Sequence, residues 1–411
     1  MLIKWFGESS NKNQLGGGRY VTNTEKFFVE CVKKGIKDEK IDVIPDELDY
    51  KQFYNLCASH SMSVVVFKAL EKVKDKLLPQ FLTALQRSVH RHVMLDVQSE
   101  YDINTVLTTF EEHGLKYMPL KGYHLKKLYP STDMRYASDC DVLIDVDQLK
   151  EVRALVDELG LATKRHDEHH DIVYYPETKT IFELHKTIFV GPLEEYFGVE
   201  NKGFEMTHVR EGYQYFYEMD RERFYISLLG HSAYHFAESA GVGIRHLTDI
   251  YLYRKAYDLN EEYLNAELDK CGLRQFKDEF EKVSAYFFED TEPDEFTQKL
   301  AKHILESSLL ANSEKKSASD VAANASETDD KKAKRKSVWK KIFLSKKQMK
   351  FSYPVLKKHI WLLPIFHVVR WLQVLFTRPK AIGQLKKMND VEENDLAYMK
   401  EIRGGLGINH L

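Results

Sequence analysis

Cysteine is sparse in this 411-residue chain, and the four present (Cys31, Cys57, Cys140 and Cys271) form no C-x-x-C pair. That excludes a disulfide framework and a cysteine-built zinc site, and it reads as reduced thiols in a cytoplasmic protein. No secretory leader is expected, since the opening MLIKWF run is shorter than a signal-peptide core. The glycine triplet in QLGGGR lacks the Gly-Lys-Ser/Thr ending of a P-loop. Net charge is only −3, so no bulk basicity points to nucleic acid. No internal repeat is visible. The most apolar stretch, HIWLLPIFHVVRWLQVLF at 359–376, is broken by Pro364, His367, Arg370 and Gln373. A spanning helix needs about 20 mainly apolar residues, so no transmembrane span is expected. The stretch reads instead as a buried or partner-facing amphipathic helix, with peripheral membrane contact as the other reading.

What is present is globular. The length suffices for two or three packed units, and an apolar fraction of 43% and a charged fraction of 30% are ordinary for a globular protein. Residues 1–22 read as a loosely held tail. Residues 23–114 show helical spacing, ending in a long periodic segment from Pro79 to Phe110 with Leu82, Leu85, Val89 and Val93 on one stripe. A mixed α/β unit is expected over 115–215 and further helices over 216–311. Residues 312–337 carry no large apolar side chain except Val321, which predicts a disordered linker or loop. A helical segment at 338–411 closes the chain. The fold class is α+β: a small mixed sheet between amino- and carboxy-terminal helical regions.

The informative stretch is 115–145, LKYMPLKGYHLKKLYPSTDMRYASDCDVLID. A strand over Lys116–Leu120 enters Lys121-Gly122, and a second strand opens with Asp139-Cys140-Asp141. Strand side chains alternate between faces, so Asp139 and Asp141 share one face, with Cys140, Val142 and Ile144 on the other. Carboxylates held so close repel unless a cation lies between them, and an oxygen-only set suits Mg²⁺ or Mn²⁺ rather than zinc. Asp147 is expected to cap a helix that Gly160 ends, and a hairpin over Ile172–Tyr175 and Thr180–His185 follows.

These residues resemble the nucleotidyltransferase fold shared with DNA polymerase beta. More narrowly, Leu120-Lys121-Gly122, Arg135 to Asp141 and Glu183-Leu184-His185 resemble the L-K-G, R-x-x-S-D-x-D and E-L-H motifs of a family of uncharacterised bacterial nucleotidyltransferases. The resemblance implies metal-dependent transfer of a nucleoside monophosphate from a nucleoside triphosphate such as ATP, with release of pyrophosphate. Asp139, Asp141 and Glu183 would be the catalytic metal ligands, and Lys121, Gly122, Arg135 and Ser138 would bind the nucleotide. Lys121 stands where related folds carry a small hydroxyl residue, so it would supply charge to the phosphates instead. Arg135 either contacts phosphate or pairs with an acid. His185, Arg245 and Asp249 fall on the expected acceptor side, although Arg245 and Asp249, four apart, also read as an intrahelical ion pair. The acceptor is open: a small molecule, a sugar or a protein. The alternative is a non-catalytic member of the fold that binds nucleotide or protein. His231 and His235 share a helix face and read as core histidines, because no third zinc ligand accompanies them. His169-His170-Asp171 enters a strand, unlike the helical pair of an HD phosphohydrolase.

Overall fold

The structure is a computed structural model that describes residues 21–137, 139–166, 169–198, 203–307, 313–324, 330–377, 383, 385, 387, 388 and 390–411. Ser138 and most of the expected amino-terminal tail lie outside them.

Four helices come first: α1 (Asn23–Ile36), α2 (Tyr50–Ser59), α3 (Ser63–Ala69) and α4 (Pro79–Glu112). Thr22 and Glu25 form a reciprocal capping box that starts α1. Pro79 opens α4, where its missing N–H costs nothing. Gly114, at φ +70°, turns the chain from α4 into β1 (Tyr117–Pro119). A one-turn helix, α5 (Gly122–Leu125), leads to β2 (Asp139–Ile144). Next come α6 (Leu149–Glu158), β3 (Ala162–His166), β4 (His170–Tyr174), β5 (Ile181–His185) and the short α7 (Glu194–Phe197). Asp147 does not cap α6. Asp145 caps a 3₁₀ turn ahead of it, and Gln148 instead bridges the Lys116 amide and the Gly114 carbonyl.

The sheet order is β1-β2-β5-β4-β3, with β2 and β5 parallel and the other pairs antiparallel. A small hairpin, β6 (Thr207–Val209) and β7 (Tyr217–Met219), adjoins β1 through a Tyr117–Phe216 bridge. One sheet face packs Cys140, Val142, Phe182 and Leu184 against Phe110 of α4 and Val152 and Val156 of α6. The other face meets a larger helical core through Met118, Leu120 and Leu143. That core includes α8 (Arg221–Ser239), α9 (Ile244–Ala256), α10 (Glu261–Lys270), α11 (Arg274–Phe288) and α12 (Glu295–Glu306). The observed class is therefore α+β, with helices flanking a small mixed sheet.

The expected disordered segment at 312–337 is a correction. It contains α13 (Ser313–Ala322) and the start of α14 (Asp330–Ile342); residues 325–329 lie outside the description. Small side chains make this possible. Ser317, Ala318, Ser319 and Ala322 are buried, with Ala318, Val321 and Ala322 in a core shared with Leu396 and Met399. Close helix approach through Ala and Ser buries area without the large residues that composition counts. The chain continues through α15 (Lys346–Ser352), α16 (Val355–Lys358) and α17 (Leu363–Thr377) to α18 (Glu393–Gly405). Arg403 of α18 is buried and donates to Ser319 Oγ, Ile408 O and Leu411 O.

Candidate active site

β2 and β5 pair in register, with Asp141 beside Glu183 and Leu143 beside His185. Because they are parallel neighbours, the acidic positions of both strands project on one face, opposite the Cys140–Phe182 core. Asp141, Glu183 and His185 each offer a ligand atom within 4.8 Å of the others. His185 Nε2 donates to Asp141 Oδ1 at 2.8 Å and lies 3.6 Å from Glu183 Oε2. Lys121 Nζ lies 3.3 Å from Asp141 Oδ2.

These contacts set the charges. Burial alone would raise the Asp141 pKa, but the Lys121 ammonium and the His185 hydrogen bond outweigh it and hold the carboxyl well below its usual range. His185's hydrogen bond also lowers Glu183. Asp139 moves the other way: burial raises its pKa, and the negative Asp141 and Glu183 add to the effect. Negative charge is thus in excess at Asp139, which a cation would relieve. The donors are chiefly carboxylate oxygens, so the residues fit Mg²⁺ or Mn²⁺.

The Leu120-Lys121-Gly122 turn is tied to β2 by the Leu120 amide, which donates to Asp141 O at 2.9 Å. Lys121 adopts φ +37°, ψ −101°, a region costly for a residue with a Cβ. Its ammonium lies beside the Asp141 carboxylate. At Gly122, a Cβ would come within 2.8 Å of Arg135 Nη1. Arg135 itself takes the acid-pairing option. Its Nε and Nη2 donate to the two Asp249 oxygens, each at 2.8 Å, and Tyr129 donates to the same carboxylate. This bidentate pair fastens the loop before β2 to α9.

A cleft of about 410 Å³ opens over the acids, with Lys121, Asp139, Asp141 and Glu183 on the sheet side. The far wall comes from α8 and α9: His231, His235, Arg245 and His246. His231 and His235 therefore line the cleft rather than the core. Their rings lie 4.2 Å apart, and burial pushes His235 down to about 4. His246 accepts or donates at Ser232 Oγ, 3.0 Å away, and was carried by no motif; its place directly after Arg245 was the available signal. Arg245 faces the cleft, with Nη1 donating to Tyr136 O.

Two expectations about the acceptor side change. Asp249 does not line this cleft, and its carboxylate pairs with Arg135 across helices rather than with Arg245 along α9. His185 lies behind the carboxylates, outside the cleft lining, stacked on His170 at 5.5 Å. Its ring is held by Asp141 rather than opening on the cleft. Ser138 belongs to the undescribed residues.

A family described as uncharacterised nucleotidyltransferases matches residues 46–288, well over half of the chain. The chain belongs to that family. Membership makes nucleotidyl transfer the general role of this nucleotidyltransferase and a nucleotide its substrate. The matched span runs from just before α2 to the end of α11, so it includes the acid-bearing strands and both cleft walls. No curated protein and no solved structure matches the chain.

Proposed function

We propose that the protein is a divalent-metal-dependent nucleotidyltransferase that moves a nucleoside monophosphate from a nucleoside triphosphate to an acceptor, releasing pyrophosphate. The observation that carries this reading is the convergence of Asp141, Glu183 and His185 within 4.8 Å, with Asp139 two residues away on the same strand face.

In this reading Asp139, Asp141 and Glu183 hold Mg²⁺ or Mn²⁺. A bound divalent ion would neutralise phosphate charge and acidify the attacking hydroxyl. Lys121 turns from Asp141 toward the phosphates. Gly122 lets the backbone approach them, because no Cβ intervenes. His185 fixes the orientation of Asp141 and Glu183, as an outer partner does for metal ligands. The Arg135–Asp249 pair holds the loop that delivers β2. Arg245 and the α8–α9 histidines form the wall on which the acceptor or the departing pyrophosphate rests.

The test is nucleotide binding and pyrophosphate release with and without Mg²⁺, for the wild type and Asp141→Asn, against a panel of hydroxyl acceptors. Metal-dependent binding that the substitution abolishes supports the proposal. Binding indifferent to both metal and substitution would instead indicate a non-catalytic nucleotide- or protein-binding member of the fold.

A further inference from the structure

Charge is distributed very unevenly along this chain. Residues 331–389 hold 17 of its 60 Lys and Arg and none of its 63 Asp and Glu, so the rest of the chain carries a net charge of −20. The basic stretch takes in α14 to α17, which hold 13 of the 17 cations, lies beyond the family match, and contributes few residues to the main cores.

α17 and the turn before it pack in reverse of a globular helix. Trp361, Ile365, Val368 and Leu372 recur at spacings of four, three and four, which puts them on one helical face. That face is exposed: 72% for Trp361, 55% for Ile365, 60% for Val368 and 50% for Leu372. Arg370 and Trp371 turn the other way, toward the end of α14, while Gln373 stays exposed. Arg370 Nη1 and Trp371 Nε1 both donate to Ile342 O at 3.0 Å, and Gln373 accepts from Tyr353 OH. His367 meets the ring of Phe343, which stacks on exposed Trp339. Exposed lysines flank the apolar ridge: Lys336 and Lys340 beside Trp339, and Lys357 and Lys358 just before Trp361.

We propose that α14–α17 is a membrane-surface module that lies in the interface of an anionic bilayer, with the Trp361–Leu372 ridge in the acyl boundary and the lysines against the headgroups. An aliphatic ridge with a Trp at its edge, bordered by lysine, is the chemistry of an in-plane amphipathic helix. Nucleic acid would use the lysines but leaves Ile365, Val368 and Leu372 without a partner. A second copy docked ridge to ridge would bring two basic stretches together. Spanning is ruled out by length: the 15 residues of α17 rise about 22 Å, against a hydrocarbon core of about 30 Å, and no described helix is long and apolar enough to cross.

The test is flotation of the full-length protein with vesicles of phosphatidylcholine alone or with about 30% phosphatidylserine. The expected result is binding to the anionic vesicles that weakens at least about tenfold in ~0.5 M salt and in Val368→Asp/Leu372→Asp. Both substituted positions are exposed, circular dichroism checks the fold, and Trp361→Ser gives an independent weakening. The proposal is overturned by no binding to anionic vesicles, by binding that ignores the ridge substitutions, or by tighter binding to a single-stranded oligonucleotide. Self-association abolished by the same substitutions, with no lipid binding, overturns it too.

Discussion

His185 donates to Asp141 across the parallel β2–β5 pair at 2.8 Å, and this bond couples the two acid-bearing strands. It aims one Asp141 oxygen while Lys121 faces the other. Replacing His185 with Ala leaves the carboxylates but frees their rotamers. The expected loss is about 10- to 100-fold in metal affinity or turnover, the usual range for an outer partner of a metal ligand. Asp141→Asn should exceed that loss. Mg²⁺ titration of nucleotide binding measures both.

Arg135 and Asp249 form a buried, bidentate pair at 2.8 Å. Asp249→Ala leaves the guanidinium buried without its counter-charge. The expected destabilisation is about 3–5 kcal/mol. Arg135→Met with Asp249→Leu should cost less than the sum of the two single changes. Urea unfolding of the four proteins gives the coupling.

Gly122 faces Arg135 closely enough that an alanine Cβ would approach Nη1 to 2.8 Å. The arginine cannot swing aside without breaking its pair with Asp249. Gly122→Ala should therefore cost about 1–3 kcal/mol, an overpacking penalty, and weaken nucleotide binding as the turn shifts. Thermal unfolding and nucleotide titration read the two effects separately.

His60 is fully buried, accepts from the Ile244 amide at Nδ1 and donates from Nε2 to Leu305 O. The Nδ1 bond requires the neutral ring, and burial lowers its pKa from 6.5 to about 4. Because the folded pKa is depressed, the stabilisation is complete above pH 6.5 and is lost as pH falls toward 4. The expected loss is roughly 3 kcal/mol across that window. His60→Asn should flatten the slope of unfolding free energy against pH there by about one proton.

Much of the site was legible because it is local. D-x-D fixes a shared strand face by alternation alone, and E-L-H repeats the same parity on a second strand. Gly114 announces its left-handed conformation through glycine, whereas in the L-K-G turn the positive φ falls on Lys121. What was not legible depends on partners far away in the chain. Arg135 had two equally plausible fates, and only the packing of α9 against the loop chose Asp249. Similarly, α13 hid behind a polar composition, because its burial comes from Ala and Ser fitted against α18.

The sequence by itself determined the strand faces, the helix periodicity and the chemical types available: three acids, a lysine turn and a histidine on the same parity. Those follow from backbone geometry over a few residues. Tertiary structure alone decided that β2 and β5 are parallel neighbours, so that residues 141 and 183 meet, and that α8 and α9 bring their histidines over them. It also turned the ridge of α17 outward, because Arg370 and Trp371 found a carbonyl partner at the end of α14. Pairing order and packing direction are choices among distant segments, and no local pattern carries them.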